Sequence, residues 1–344
     1  MNNASTIENR PIIGVTGATG LLGRRVVCRF IEQGYHVVSY VRQRDQLMYN
    51  PRYYSEVQGD LADDCQLEDF VRQIDVCIHL AAHVGHGTYR DYRTVNVEGT
   101  QLLCELIAKF NPHCRLVYCS SIATLRYPQW FPWLATKYAR SKRQAEMLVK
   151  EYAKNKNLKA VTIYPGMIYG PGDRKFVPTI ISKLKQGKLF LVGGGEKNAP
   201  LIHVDDLAEL FYLAATKKEA VGREYIGVKS EDIGIHQFIE MIAEAVNAPR
   251  PRLKIPKWLL QPVAMLWEGL YSLVGVKRLP PISRRIVDVL SINFTKNSAE
   301  ANTRLGWKPK MDVERGLRQM LSQMELYDAA AGYDARHKSP QVNA

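Results

Sequence analysis

The sequence predicts an α/β protein in which a doubly wound parallel β-sheet is joined to a smaller carboxyl-terminal substrate lobe. In the first half of the chain, apolar runs of strand length alternate with segments of helical periodicity, and a glycine-rich turn follows the first run. With 344 residues, 46% of them hydrophobic, the chain can bury the core of a large domain with an appended lobe.

The predicted elements of the sheet follow from this alternation. Strands are predicted at residues 12–15, 37–41, 76–80, 116–119 and 160–163. Helices are predicted at residues 21–33, 67–73, 95–110 and 138–155. Strict alternation indicates parallel pairing, helices on both faces of the sheet and a ligand crevice at the carboxyl ends of the strands.

After residue 170 the pattern is less regular and indicates a lobe built from several short pieces. Helices are predicted at 178–186 and 204–215, and a short strand at 225–228. The glycines at 193–195 indicate a hairpin turn, with a phosphate-binding nest as the less favoured alternative. Asp205 and Asp206 stand at the start of the second helix, where such residues commonly act as caps.

The turn after the first strand contains Gly17, Gly20 and Gly23 at a regular spacing. Glycine permits positive φ and close backbone approach, while the free amides and positive dipole end of the following helix favour a pyrophosphate. The turn therefore predicts a cradle for a nucleotide cofactor, although its spacing differs from the common Gly-x-Gly-x-x-Gly fingerprint.

The cradle and the strand pattern together predict the domain boundaries. We expect a dinucleotide-binding domain over residues 11–170, to which later segments such as 200–228 return. The substrate lobe is expected over residues 171–325, and residues 1–10 and 328–344 are expected to form flexible tails.

Tyr138 and Lys142 are four residues apart on one predicted helix, so their side chains project from the same face. A phenol with an ordinary pKa of about 10 is a poor base at neutral pH, and a nearby ammonium favours its ionised form. Ser121 follows a predicted strand at its carboxyl end, where its hydroxyl could hydrogen-bond the same reacting oxygen. These residues predict proton transfer to or from an alcohol oxygen.

The order of these motifs resembles that of the extended short-chain dehydrogenases/reductases, the NAD-dependent epimerase/dehydratase superfamily. The resemblance covers residues 11–325 and is closest in pattern to the 3β-hydroxysteroid and sterol dehydrogenase-like branch. The positions that carry it are 16–23, 59–61, 79–82, Asn96, Ser120, Ser121, Tyr138, Lys142, 164–173 and 203–206.

The resemblance implies a Rossmann-type fold, an NAD(P)-dependent enzyme and a role for each matching residue. Tyr138 is expected to be the general acid/base, Ser121 to orient the substrate oxygen, and Lys142 to hold the nicotinamide ribose while lowering the pKa of Tyr138. The other expected cofactor-binding residues are Gly17, Thr19, Gly20, Leu21, Leu22, Gly23, Asp60, Leu61, Ala81, Ala82, Pro165, Gly166 and Ile168.

The connection from Ser121 to Tyr138 is shorter than is usual in the family and contains Trp130, Phe131 and Trp133. These bulky residues predict either ordinary core packing or a hydrophobic wall beside the substrate. The sequence leaves both interpretations open.

The end of the second predicted strand bears on the choice of cofactor. A carboxylate at this place hydrogen-bonds the ribose 2′-hydroxyl of NAD(H), but here the strand ends at Arg42. Arg42, with Arg44 and Arg24 nearby, could instead pair with a 2′-phosphate. The sequence therefore favours NADP(H) over NAD(H).

The stretch 257–275 bears on the substrate, because it predicts a helix with an apolar stripe and flanking aromatic residues. The stripe consists of Leu259, Val263, Leu266, Leu270 and Leu273. Two interpretations stay open: packing on the core of the lobe itself, or contact with a substrate or a membrane surface.

The sequence thus favours an NADP(H)-dependent oxidoreductase that interconverts a hydroxyl and a ketone on a bulky lipophilic substrate, either sterol-like or a β-keto or β-hydroxy acyl lipid. A first alternative is a nucleotide-sugar epimerase, dehydratase or 4-ketoreductase, in which Lys188, Arg284 and Arg285 would clamp a diphosphate. A second is a non-catalytic cofactor-binding scaffold.

Charge and composition predict the partners. The formal net charge is +13, but the basic residues are spread along the chain without interleaved aromatic residues. This pattern favours small anionic ligands or an anionic membrane surface over nucleic acid. The resemblance adds the expectation of a homodimer.

Composition also predicts the compartment and the absence of a metal. No Cys-x-x-Cys pair and no apolar run of membrane-spanning length occur, so we expect a cytoplasmic protein that is at most peripheral to a membrane. His79, His83 and His86 stand close together without acidic or cysteine ligands, and they do not predict a metal site.

Overall fold

The computed structural model describes residues 10–324, apart from positions 48, 63, 86, 127–134, 230–232, 274–279 and 281. Its strands are β1 (Ile13–Thr16), β2 (Val37–Val41), β3 (Tyr54–Gln58), β4 (Val76–His79), β5 (Arg115–Cys119), β6 (Lys159–Pro165), β7 (Met167–Tyr169), β8 (Leu191–Val192), β9 (Leu201–His203), β10 (Glu224–Gly227) and β11 (Lys254–Ile255).

The helices cover both faces of the sheet and form most of the lobe. They are α1 (Leu21–Glu32), α2 (Asp64–Arg72), α3 (Tyr89–Arg93), α4 (Gly99–Phe110), α5 (Ile122–Leu125), α6 (Lys137–Asn155), α7 (Phe176–Lys185), α8 (Val204–Thr216), α9 (Ile235–Ala245), α10 (Lys257–Leu273), α11 (Arg284–Leu290), α12 (Ala299–Leu305) and α13 (313–324). A π-helical turn (Thr94–Glu98) joins α3 to α4.

The central sheet contains β1 to β6 together with β10, in the spatial order β3-β2-β1-β4-β5-β6-β10. Every pairing within it is parallel. The chain order reverses between β1 and β4, and at such a point the carboxyl ends of the strands open a crevice. The predicted doubly wound parallel sheet of Rossmann type is confirmed.

The predicted strands correspond to β1, β2, β4, β5 and β6, with ends that differ by one or two residues at most. The edge strand β3 was not predicted, because Ser55, Glu56 and Gln58 leave it without a continuous apolar run. The helix predicted over 95–110 is interrupted by the π-helical turn before α4.

Two apolar layers sandwich the sheet, and a third core fills the lobe. On one face α1 and α8 bury Phe30 and Phe211, and on the other face α2 and α4 bury Phe70 and Ile107. The lobe has its own core, in which Phe238 of α9 is fully buried among residues of α7 and α11. The strand β10 belongs to the central sheet although it follows the first segments of the lobe. The proposed domain boundaries stay a prediction.

The turn at 193–195 is not the hairpin turn that the sequence suggested. β8, which precedes it, pairs in parallel with β11, and the chain continues from the turn to β9. The amide of Gly194 donates to the carboxylate of Glu196 at 2.9 Å. A carboxylate therefore already occupies the place where a nest would bind a phosphate. Glycine is common in turns of many kinds. A hairpin can be told from a crossover only when the strand that pairs with the strand before the turn is known.

α10 presents its predicted apolar stripe to solvent rather than to the core of the lobe. Leu260 and Ala264 face the interior, whereas Leu266 and Leu273 are 65% and 84% exposed. The other residues of the stripe, Leu259, Val263 and Leu270, are also exposed. Within the described ranges no helix is long and apolar enough to cross a membrane.

Asp206 fastens the segment after α12 to the beginning of α8. Its carboxylate accepts hydrogen bonds from the backbone amides of Lys310 at 2.9 Å and Met311 at 2.8 Å. The side chain that caps α8 is His203, whose Nδ1 accepts from the amide of Asp205 at 3.3 Å. The expected capping role is therefore wrong for Asp206, which instead joins two distant segments.

Replacement of Asp206 by Asn is expected to lower the free energy of unfolding by about 1–3 kcal/mol, because one of the two backbone amides loses its acceptor. Urea denaturation followed by tryptophan fluorescence measures this change. Asp205→Asn is the matched control: it removes a partly exposed ion pair with Arg25, and a loss below about 1 kcal/mol is expected. Equal losses for the two variants would contradict this role of Asp206.

Candidate active site

A groove of about 500 Å³ lies at the carboxyl ends of β1, β4 and β5, where the strand order reverses. All the residues that the sequence assigns to catalysis or to the cofactor line it: Gly17, Thr19, Gly20, Leu21, Leu22, Gly23, Arg42, Asp60, Leu61, Ala81, Ala82, Ser121, Tyr138, Lys142, Pro165, Gly166 and Ile168. They come from seven separate segments of the chain, so the fold alone brings them together.

The glycine turn is packed so closely that larger residues would not fit. Gly17 has φ +74°, and a Cβ placed there would lie 2.7 Å from the amide nitrogen of Ala81. A Cβ on Gly23 would lie 2.1 Å from the carbonyl oxygen of Gly17. The helix α1 starts directly after Gly20, a cap residue without a side chain. The turn thus fits a pyrophosphate held by backbone amides at a helix start.

Tyr138 and Ser121, the predicted reactive pair, lie at the other end of the groove. Ser121 caps α5 by accepting from the amide of Ala123 at 3.2 Å. Burial raises the pKa of Tyr138 to about 12, although the nearby hydroxyl of Ser121 and the charge of Arg285 act in the opposite direction. The phenol is therefore protonated at neutral pH.

Lys142 is almost completely buried beneath this pair. Its Nζ donates to the carbonyl oxygen of Cys119 at 2.7 Å and lies 4.4 Å from the ring centre of Tyr118. Burial lowers the pKa of Lys142 to about 8, against the effects of Cys119 and Glu146. The expected lowering of the pKa of Tyr138 by Lys142 is not found, since burial dominates and the ammonium is bound to the end of β5.

Glu146, a residue that the sequence interpretation missed, lies behind the reactive pair. It is fully buried and accepts from Ser120 Oγ at 2.9 Å, from Arg143 at 2.8 Å and from Lys150 at 2.9 Å. Burial opposes its ionisation, yet hydrogen bonds including those from Lys150 and Ser120 hold the pKa of Glu146 below its ordinary value. Helical periodicity could have revealed it, because it follows Lys142 by one turn.

The histidines near β4 have structural contacts. His79 is buried, with Nδ1 2.7 Å from Thr16 Oγ1 and Nε2 3.0 Å from Thr100 Oγ1, and burial lowers its pKa to about 3. His83 lines the groove, and its amide donates to Asn96 Oδ1 at 2.6 Å. His86 lies outside the described residues. Among those described, no cluster of His, Cys, Asp or Glu could hold a metal ion, and the expectation of a metal-free protein stays a prediction.

The end of the groove where the adenosine is expected is formed by the strand ends of β2 and β3. Tyr40 donates to the carbonyl oxygen of Asp60 at 2.7 Å and so positions the loop after β3. Arg42 is exposed and lines the groove, whereas Arg24 and Arg44 do not line it. Arg24 is bound instead to the carbonyl oxygen of Thr19 at 3.1 Å.

The lobe contributes two cations to the groove region. Lys175, which the sequence interpretation missed, lines the groove at the start of α7. Arg285 reaches from α11 to Tyr138, with its guanidinium carbon 5.7 Å from the ring centre. Its neighbour Arg284 is paired with Glu268 at 2.7 Å, and Lys188 does not line the groove. The structure therefore does not assemble the three-residue diphosphate clamp.

The bulky residues Trp130, Phe131 and Trp133 fall within 127–134, outside the described residues. The question of core packing or substrate wall stays open for them.

Comparison with known proteins gives the family of the chain. The model of the NAD dependent epimerase/dehydratase family matches residues 13–226. The chain is 28% identical to 2-alkyl-3-oxoalkanoate reductase of Stenotrophomonas maltophilia, over 89% of this chain and 97% of that protein. It is 25% identical to 3-beta-hydroxysteroid dehydrogenase of Mycolicibacterium neoaurum, over 94% of each chain.

A solved structure shares the architecture. UDP-glucuronic acid 4-epimerase of Bacillus cereus, in complex with UDP-glucuronic acid and NAD, has a TM-score of 0.71 at 20% identity and covers 92% of this chain and 99% of its own. This likeness concerns the fold. Since the family model matches more than half of the chain, the protein belongs to the NAD-dependent epimerase/dehydratase family and is an NAD(P)-dependent enzyme of the extended short-chain dehydrogenase/reductase type.

Proposed function

We propose that the protein is an NADP(H)-dependent oxidoreductase that interconverts a hydroxyl and a ketone on a bulky lipophilic substrate, sterol-like or a β-keto or β-hydroxy acyl lipid. The observation that carries the proposal is the meeting of Tyr138, Ser121 and Lys142 in one groove with the glycine cradle. A phenol and a hydroxyl aimed at one oxygen suit an alcohol or a ketone.

Each of the groove residues has a separate role in the proposed reaction. When bound, the nicotinamide cofactor supplies or accepts the hydride. Lys142 would hold the ribose hydroxyls, and Ser121 would orient the substrate oxygen. Tyr138 is protonated at neutral pH, so it can donate its proton to a ketone oxygen as that oxygen gains charge. In the oxidative direction the phenol must first lose its proton.

Two observations support a lipophilic substrate. The relatives in Stenotrophomonas and Mycolicibacterium are named for a 2-alkyl-3-oxoalkanoate and a 3β-hydroxysteroid, which are both lipophilic molecules with an oxo or hydroxyl group. The exposed apolar face of α10 adds a surface that could meet such molecules or the membrane that contains them.

A nucleotide-sugar substrate is the second candidate, favoured by the fold of the epimerase from Bacillus cereus. Against it, only Arg285 of the three expected clamp residues approaches the site. Uridine or guanosine diphosphate is therefore expected to leave the melting temperature unchanged. A concentration-dependent rise would favour the sugar-nucleotide alternative. The scaffold alternative is disfavoured because Ser121, Tyr138 and Lys142 all reach the groove.

Tyr138→Phe is expected to lower kcat at least about 100-fold, because the proton path to the substrate oxygen is removed. Cofactor affinity, measured by quenching of tryptophan fluorescence, should change less than about threefold, since the ring stays in place. Tyr92→Phe is the matched control for a neighbouring buried phenol, and its kcat should fall far less. Full turnover by Tyr138→Phe would show that another group is the acid.

We further propose that Arg42 binds the 2′-phosphate of NADP(H). Its replacement by Gln is expected to raise KM for NADP(H) about 10- to 100-fold, the equivalent of one or two charge-assisted hydrogen bonds, and to leave KM for NAD(H) nearly unchanged. Steady-state kinetics with both cofactors measures the effect. Arg44→Gln is the matched control, since Arg44 lies outside the groove lining. A wild-type enzyme that prefers NAD(H) would contradict the assignment.

We also propose that α10 contacts a membrane surface peripherally. Trp258 is 73% exposed on this helix, and the net charge of the chain suits an anionic surface. Leu266→Glu is expected to abolish cosedimentation with vesicles of mixed phosphatidylcholine and phosphatidylglycerol. Met147→Glu, at an exposed apolar position on α6, is expected to leave it unchanged. Absence of wild-type binding would contradict the proposal. The cytoplasmic location and the homodimer stay predictions.

A further inference from the structure

We propose that Arg285 forms a carboxylate-binding subsite beside Tyr138, so that the preferred substrate is a 3-oxo or 3-hydroxy acid with a free carboxylate. This inference rests on the proposed function and names the substrate class within it. The ketone or hydroxyl would meet the phenol while the carboxylate of the same molecule meets the guanidinium.

The position of Arg285 is the first support. It belongs to the first turn of α11 in the lobe, yet its Nη1 donates to the carbonyl oxygen of Val84 at 2.9 Å, in the loop after β4. Val84 itself lines the groove. The charge of Arg285 opposes the rise in pKa that burial causes at Tyr92, and its guanidinium carbon lies 5.7 Å from the ring centre of Tyr138. Arg285 itself is outside the groove lining, but the lobe brings its guanidinium into contact with two residues that line the groove, Val84 and Tyr138.

The second support is that the positive charge of Arg285 is not paired with an acidic residue among those described. Within the part of the chain that the structure describes, Arg285 is partly buried and its polar contacts are with neutral groups, whereas Arg284 is paired with Glu268. A guanidinium has five N–H donors, and the bond to Val84 leaves several of them for a ligand. The planar fork of these donors matches the two oxygens of a carboxylate.

The chemistry of the substrate is the third support. In a 3-oxo acid only one carbon separates the carbonyl carbon from the carboxylate carbon. The two polar groups therefore have to be recognised by neighbouring side chains, as Tyr138 and Arg285 are. A carboxylate at the far end of a long chain could not meet both at once.

Two matched substrate pairs test the proposal with the complete enzyme and its oxidised cofactor. One pair is a 2-alkyl-3-hydroxyalkanoic acid and its methyl ester, and the other is a 3β-hydroxysteroid with a 4-carboxyl group and its methyl ester. The hydroxy compounds are used because 3-oxo acids lose carbon dioxide spontaneously. The formation of reduced cofactor gives kcat and KM for each compound.

The wild-type enzyme is expected to prefer the acid to the ester in at least one pair. Arg285→Met should raise KM for that acid about 10- to 100-fold, because charge-assisted hydrogen bonds are lost, while KM for the ester changes less than about threefold. Arg285→Lys, which keeps the charge without the fork, should give an intermediate ratio. Arg284→Met is the matched control and should leave the ratio of acid to ester unchanged.

Several outcomes would overturn the proposal. Equal losses for acid and ester in Arg285→Met, with a lower melting temperature, would make Arg285 a tether between the lobe and Val84 only. A wild-type enzyme without preference for the acid would overturn it even if the variant failed to fold. Protection of the wild type by uridine diphosphate that Arg285→Met loses would assign the guanidinium to a diphosphate. If neither member of either pair is oxidised, the oxidoreductase proposal itself fails.

Discussion

The contact of the glycine turn with the end of β4 is the constraint on which the groove depends. The turn between β1 and α1 approaches Ala81 so closely that a Cβ on Gly17 would meet backbone atoms. Gly23 is equally restricted, because its own turn folds back on it. This packing brings the start of α1 to the crevice between β1 and β4, where strand order reverses. The cradle is thus a consequence of backbone packing, with little contribution from side chains.

The chemistry at the other end depends on a balance between burial and polar contacts. Burial disfavours the charged forms of Tyr138 and Lys142, and it moves their pKa values in opposite directions. Ser121 and Arg285 act against this effect for the phenol, and Glu146 does so for the ammonium. The result is a phenol that stays protonated at neutral pH and a lysine ammonium whose pKa is lower than usual. Such a site is suited to donate a proton to an oxygen that develops negative charge.

The lobe adds what the sheet does not provide. α11 presents Arg285 to the reactive phenol, and α10 presents an apolar face to the solvent. The proposed recognition of a carboxylate by Arg285, together with this apolar outer surface, would suit an amphiphilic substrate better than a sugar nucleotide. Asp206 holds the segment that leads to α13 against α8, because its carboxylate accepts from two backbone amides of that segment.

The sequence by itself determined the parallel sheet, and it predicted the cradle and the catalytic roles of Tyr138 and Lys142, because each of them depends on short-range spacing: alternating elements, glycines in one turn, and Tyr138 one helical turn before Lys142. It did not reveal the edge strand β3, the parallel pairing of β8 with β11, or the roles of Glu146 and Asp206. The tertiary structure likewise decided the raised pKa of Tyr138. It also decided that Arg285 contacts Tyr138 while its neighbour Arg284 pairs with Glu268. Helical spacing from Lys142 could have indicated Glu146, but the other features depend on burial and on contacts between residues far apart in the chain, about which local spacing carries no information.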